Sequence, residues 1–138
     1  HKFLLSSGRL LTFMELWMGK MLRQLLLEKK GELAPNFKAG FLDRPNTIFQ
    51  FLFEETDPFF LTVDTEDFEF IPGLHENPTL TLNLKDHDTC WGLLEGRING
   101  MDAFMAGTYR ADGNIVLSQL MLYLFKNNDA SIVYEVQD

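Results

Sequence analysis

Cysteine is almost missing from this chain of 138 residues: Cys90 stands alone. An intrachain disulfide is excluded, and a reducing compartment, the cytoplasm, is the expectation. Long apolar runs are missing as well. No stretch approaches the roughly 18 residues of a membrane-spanning helix. The short apolar start from Phe3 to Leu5 is broken at once by Ser6, Ser7 and Gly8, so we expect no signal peptide. Positive charge is scarce: twelve Lys and Arg face twenty Asp and Glu, a net charge of −8. The imbalance is uneven. Residues 1–44 hold eight bases and four acids, 8 − 4 = +4, and the remainder four bases and sixteen acids, 4 − 16 = −12. Eight carboxylates and no Lys or Arg lie between Glu54 and Glu76. Such a body repels phosphates, and we expect no nucleic-acid partner.

Signatures of chemistry are also lacking. There is no nucleophile elbow, phosphate loop or dinucleotide fingerprint. Asp86, His87 and Asp88 are consecutive, and side chains so placed do not converge on one ion; His75 is the one other histidine to hand, so we expect no metal. The acidic run from Asp64 to Glu69 lacks the glycine and the distal glutamate of a calcium loop and reads as a solvated turn and strand face. Cys90 has apolar neighbours and no base nearer in sequence than Lys85, which predicts a buried, inert thiol. The expectation is a protein that is not an enzyme and carries no cofactor.

Apolar residues are plentiful. They form 46% of the chain against 23% charged, and thirteen are phenylalanine. That is the balance of one globular domain, 1–138, able to bury about 68–70% of its unfolded surface. Phenylalanine fills volume without demanding a hydrogen bond, so its surplus suits a large core or an apolar pocket. Residues 1–11 are read as an extraneous remnant or as flexible. Residues 12–31 read as an amphipathic helix. Thr12 and Glu15 have capping-box spacing, with Leu11 and Leu16 placed as a staple. Met14, Trp17, Met18, Met21, Leu22 and Leu25 make its apolar stripe, and Gly31 is the expected stop. We expect this stripe to lie on the sheet; contact with an anionic membrane surface or with a second subunit is the other reading. Three strands follow. Phe49, Phe51 and Phe53 alternate in the first, Phe59, Leu61 and Val63 in the second, and Phe68 and Phe70 in the third, with short turns between: an antiparallel meander with one wet face. Ser131 to Val136 reads as a short strand or a frayed end.

From Pro78 the pattern becomes strand, helix, helix, strand, helix. Leu80, Leu82 and Leu84 alternate with Thr79, Thr81 and Asn83. Asp86 is placed to cap a helix carrying Trp91, Leu93 and Leu94 that stops at Gly96. Asn99 caps a second, with Met101, Phe104 and Met105, that stops at Gly107. Thr108 to Ala111 returns as a strand, and Asp112, Gly113 and Asn114 turn into a helix from Ile115 to Phe125.

This run resembles the lipid-binding domain of the sterol carrier protein family, the non-specific lipid-transfer type. The resemblance rests on Gly96, Arg97, Ile98 and Asn99, then Ala103 and Phe104, Gly107, and Gly113 with Asn114. It extends loosely upstream to about Asn46. It departs at Gly100, where proline is frequent, at Thr108, where a base is usual, and at Ala111, where a β-branched residue is usual. The resemblance implies an α+β fold: a twisted, mainly antiparallel sheet of about five strands with helices covering one face. It implies a tunnel between sheet and helices for a fatty acyl chain, sterol or isoprenoid, bound and transferred without reaction. From the alternation of the strands and the apolar helix faces we expect Phe49, Phe51, Leu80, Leu82, Trp91, Leu94, Phe104, Met105, Leu117 and Met121 to line it. Arg97 is placed either to meet a polar head group at the mouth or to bond loop carbonyls. The rival reading is a homodimeric, non-catalytic accessory or scaffold protein of a lipophilic, quinone-type pathway, its interior filled by its own side chains.

Overall fold

The computed structural model describes residues 2–4 and 10–126. A small antiparallel ribbon of β1 (Lys2–Leu4) and β2 (Leu10–Thr12) leads into α1 (Phe13–Leu33). A 3-10 turn (Ala34–Asn36) follows. Then come β3 (Thr47–Phe53), β4 (Phe59–Val63), β5 (Phe68–Pro72) and β6 (Leu80–Leu84). The remainder is α2 (His87–Glu95), α3 (Gly100–Met105), β7 (Tyr109–Asp112) and α4 (Ile115–Tyr123). The expected strand between Ser131 and Val136 falls outside the described residues, as does the Leu11 side chain of the expected staple.

The main sheet has the order β5-β4-β3-β6-β7. Neighbours are antiparallel except β3 and β6, which run parallel with Phe49 opposite Leu80 and Phe51 opposite Leu82. This is the expected α+β, mainly antiparallel, five-stranded arrangement. Period-two alternation decides which face is buried. Phe49, Phe51, Phe59, Leu61, Val63, Leu80, Leu82 and Leu84 are all 4% exposed or less. α2 and α4 contribute Trp91, Leu94, Leu117 and Met121 to the same core.

The outer face is not simply wet, as the alternation suggested. Gln50 and Phe60 point outward yet are buried. The stretch after β5 folds back over them. Gln50 Nε2 donates to the Gly73 and Phe59 carbonyls (3.1 and 3.2 Å), and the His75 amide donates to Gln50 Oε1 (2.7 Å). The His75 ring meets Phe60 edge-on at 5.1 Å.

Two helices differ from expectation. α1 passes straight through Gly31 and ends at Leu33, followed by Pro35, whose ring cannot continue a helix. Its stripe does not cover the sheet either. Leu22, Leu26 and Leu33 are buried, but Phe13, Met14, Trp17, Met18 and Met21 are each more than half exposed. The reason is length. Twenty-one helical residues span about 31 Å, whereas the five residues of β5, the strand α1 packs against, span about 16 Å. Half the helix therefore overhangs. The second case is α3, a turn and a half long. Ala103 faces inward at 4% exposure. At about 100° per residue, Met101 and Met105 fall nearly opposite it and Phe104 to one side. All three are exposed.

Caps stand where the sequence places them. Thr12 and Glu15 form a reciprocal capping box. Asp86, Asn99 and Asn114 accept backbone N–H bonds at the starts of α2, α3 and α4. At Gly100, the first position of α3, an added Cβ would stand 2.7 Å from Leu122 Cδ1, the end of a flexible side chain that would have to move aside. Gly107 (φ 78°) and Gly113 (φ 131°) hold backbone conformations that strain any β-branched residue. At Gly113 an added Cβ would also press on Leu80 Cδ1 at 3.1 Å. Gly107→Val and Gly113→Val should each cost more than about 1 kcal/mol, read as a lower urea midpoint; unchanged midpoints would contradict these joints.

Candidate functional site

The layer between sheet and helices is the candidate site. Its floor is the inward row of the strands, and aromatic rings continue the row from strand to helix. Phe51 meets Phe59 at 5.4 Å, and Phe59 lies stacked on Trp91 at 5.2 Å with 9° between planes. Phe70 meets Trp91 edge-on at 5.2 Å. Phe68 meets Phe125 at 4.8 Å, beyond the last turn of α4. Phe37 closes that end against both Phe68 and Phe125. Lys38 fastens it: its amide donates to the Leu124 carbonyl and its Nζ to the Tyr123 carbonyl at 2.7 Å.

Eight of the ten residues expected to line a tunnel come together here: Phe49, Phe51, Leu80, Leu82, Trp91, Leu94, Leu117 and Met121, none more than 4% exposed. Phe104 and Met105 do not join them, at 54% and 76% exposure, because α3 turns only Ala103 inward. Phe104 instead walls an open cleft of about 470 Å³, with Leu84, Tyr109, Lys85 and Arg110 among its other residues. Leu84 and Tyr109 belong to the core, so the cleft reaches the edge of the buried layer. The methionines, too, differ from expectation. Met121 is buried, whereas Met14, Met18, Met21, Met101 and Met105 are on the surface. Phe59, Phe70, Leu93, Leu124 and Phe125 belong to the layer but were not among the expected ten. Phe59 and Phe70 were accessible to the argument already used, since they share the alternation of their strands.

The polar rim lies where α1 meets α2. Lys29 Nζ bonds Glu95 Oε2 at 3.1 Å and stands 5.4 Å from the centre of the Trp91 ring. Arg97 is held by Glu95 Oε1 at 2.7 Å and approaches Asp88 at 3.7 Å. It therefore engages carboxylates of α2, Glu95 at its end and Asp88 in its first turn, not the loop carbonyls expected as one alternative. Partial burial of Glu95 favours its neutral form, but hydrogen bonds from Arg97 and Lys29 outweigh that and hold its carboxyl below the ordinary range. The side chains weighed for chemistry have structural partners. Burial pushes the Cys90 thiol well above its usual range. His87 Nε2 meets the Asp57 carbonyl at 3.0 Å, and His75 Nδ1 accepts the Asn77 amide at 2.9 Å. Among the described residues no three His, Cys, Asp or Glu side chains are grouped to hold a metal, and no helix is long and apolar enough to cross a membrane.

The chain has the fold of sterol carrier protein domains. The sterol carrier protein domain 2 of Helicoverpa armigera superposes with a TM-score of 0.50 and 16% identity, over 71% of this chain and 80% of that one. A solved UbiJ-SCP2 ubiquinone synthesis protein superposes with a TM-score of 0.63 and 9% identity, over 75% of this chain and 95% of that one. The sec-alkylsulfatase Pisa1 from Pseudomonas sp. gives 0.58 and 16%, over 70% of this chain but 16% of the sulfatase, so the chain spans about a sixth of that enzyme. At these identities the likeness is one of fold. No family model matches the sequence, and no curated protein matches it.

α2 carries both Trp91 and Leu94 into the layer, and Asp86 starts it. Asp86 Oδ1 accepts from the Thr89 hydroxyl (2.7 Å) and the Thr89 amide (2.8 Å), which together lower its pKa from 3.8. A depressed carboxylate stabilises the fold above its unfolded pKa, and that contribution is lost as pH falls through the folded value. Asp86→Ala should cost about 1 kcal/mol at pH 7, as removal of an N-cap does. In urea titrations the gap between parent and variant should close as pH falls from 4 toward the lower folded value. A gap that persists at low pH would show that the charge is not responsible.

Proposed function

We propose that this domain binds an apolar lipid, a fatty acyl chain, sterol or isoprenoid, between sheet and helices, and passes it on without a chemical step. The observation that carries this reading is the apolar layer itself: eight inward side chains of Phe, Leu, Trp and Met, four from the sheet and four from the two helices that roof it, on the fold that sterol carrier domains use. The mechanism is partition. A ligand burying about 300–400 Å² of apolar surface gains roughly 8–10 kcal/mol at about 25 cal/mol per Å². Ordering costs of several kcal/mol leave an affinity in the millimolar to micromolar range. The ligand replaces contacts among core side chains, and the cleft beside Phe104 is its way in. Cys90 as the lone, buried cysteine is consistent with a cytoplasmic carrier.

The overhanging half of α1 gives the carrier a place to unload. Phe13, Met14, Trp17, Met18 and Met21 offer an apolar stripe, and Lys20 and Arg23 add positive charge to it. That combination suits transient contact with an anionic membrane surface. The same stripe favours a second reading, in which two copies pair through α1 as a non-catalytic accessory or scaffold protein of a quinone-type pathway. The likeness to a ubiquinone synthesis protein supports that alternative.

Transfer of a fluorescent fatty acid to anionic vesicles separates the two. A carrier docking through α1 should transfer more slowly as salt rises, because exposed charges are screened within about 8–10 Å. Lys20→Glu with Arg23→Glu should slow transfer severalfold and leave lipid affinity unchanged. No transfer at any salt, with the double change altering dimer formation, would establish the scaffold reading.

A further inference from the structure

One polar atom in the aromatic layer has no partner. The indole Nε1–H of Trp91 is buried and meets no acceptor among the described residues. Buried N–H groups are nearly always bonded, because leaving one unpaired in apolar surroundings costs about as much as a lost hydrogen bond. The ring cannot readily turn to relieve this. It is stacked on Phe59, held edge-on by Phe70, and carried on a helix started by Asp86. Above it stand Lys29 and Glu95, with side chains 18% and 22% exposed, joined at 3.1 Å. At this corner of α1 and α2, polar groups border the layer.

We propose that the Trp91 indole N–H is the polar contact of the lipid site, donating a hydrogen bond to a neutral carbonyl oxygen on an otherwise apolar ligand. The inference rests on the lipid-binding reading and narrows it to a chemical class. An ionised carboxylate fits poorly: the rings around Trp91 would strip its water, and Lys29 is already engaged by Glu95. A hydroxyl is also the weaker match, since it brings a donor of its own that must be satisfied. Among the described residues the other unpartnered buried side-chain polar atom, Thr47 Oγ1, lies at the far end of the layer, four residues along β3 from Phe51, or about 13 Å. A carbonyl accepts without donating, which is what a lone buried N–H requires.

The test uses delipidated full-length protein carrying Trp17→Phe, so that Trp91 is its one indole, and two neutral probes of matched length, 2-heptadecanone and heptadecane. Affinities come from displacement of a fluorescent fatty-acid methyl ester, and the indole proton is followed by NMR. The ketone should bind about five- to tenfold more tightly than the alkane. It should move the Trp91 Nε1–H signal downfield, and the alkane should not. Trp91→Phe should abolish the preference for ketone over alkane. The NMR shift stands as the readout if that variant fails to fold. Equal affinities with an unmoved indole signal, as a water-bonded or permanently unpaired N–H would give, overturn the assignment of Trp91 and leave lipid binding intact. If neither probe displaces the ester, or no ester binds, the lipid-binding reading itself fails and this assignment with it.

Discussion

The structure depends on the parallel contact of β3 with β6. It sets Phe49 beside Leu80 and Phe51 beside Leu82, joining the meander of β3, β4 and β5 to the antiparallel pair of β6 and β7. Parallel neighbours cannot be joined by a tight turn, so the chain must travel between them. Here it spends that length on β4, β5 and the stretch that Gln50 pins across the outer face. The joined apolar face is too wide to be left in water. α2 and α4 cover it, and the inner half of α1 covers its edge at β5.

That arrangement separates two kinds of apolar surface. The inner layer is aromatic and aliphatic and is closed by tight caps and glycine stops. The outer surface holds five of the six methionines, together with Trp17 and Phe104. In the proposed carrier reading, one would hold the ligand and the other would meet the surface that receives it. The rim of Lys29, Glu95 and Arg97 lies between α1 and α2 and is the polar boundary of the layer.

Much of this was legible in the sequence because it is written in short-range rules. Strict alternation at Leu80, Leu82 and Leu84 assigned the buried face of β6, and Asp86, Asn99 and Asn114 marked three helix starts. Gly96 and Gly107 marked two stops, but Gly31 did not, because an isolated glycine can lie inside a helix when the residues beyond it keep the helical pattern. Helix faces were the weak point. Apolar periodicity shows that one side of α1 or α3 is apolar, but not whether another element is long enough or close enough to cover it. The burial of Gln50 was also hidden, since it depends on a loop twenty-three residues away in the chain.

The most direct test of lipid binding within the layer is to locate the chain of a bound ligand. Protein labelled at its Leu and Met methyls would be loaded with methyl palmitate and examined for intermolecular NOEs. The account predicts contacts from the acyl chain to Leu82, Leu94, Leu117 and Met121. Contacts confined to Met14, Met18, Met21, Met101 and Met105, or no stable complex, would contradict it.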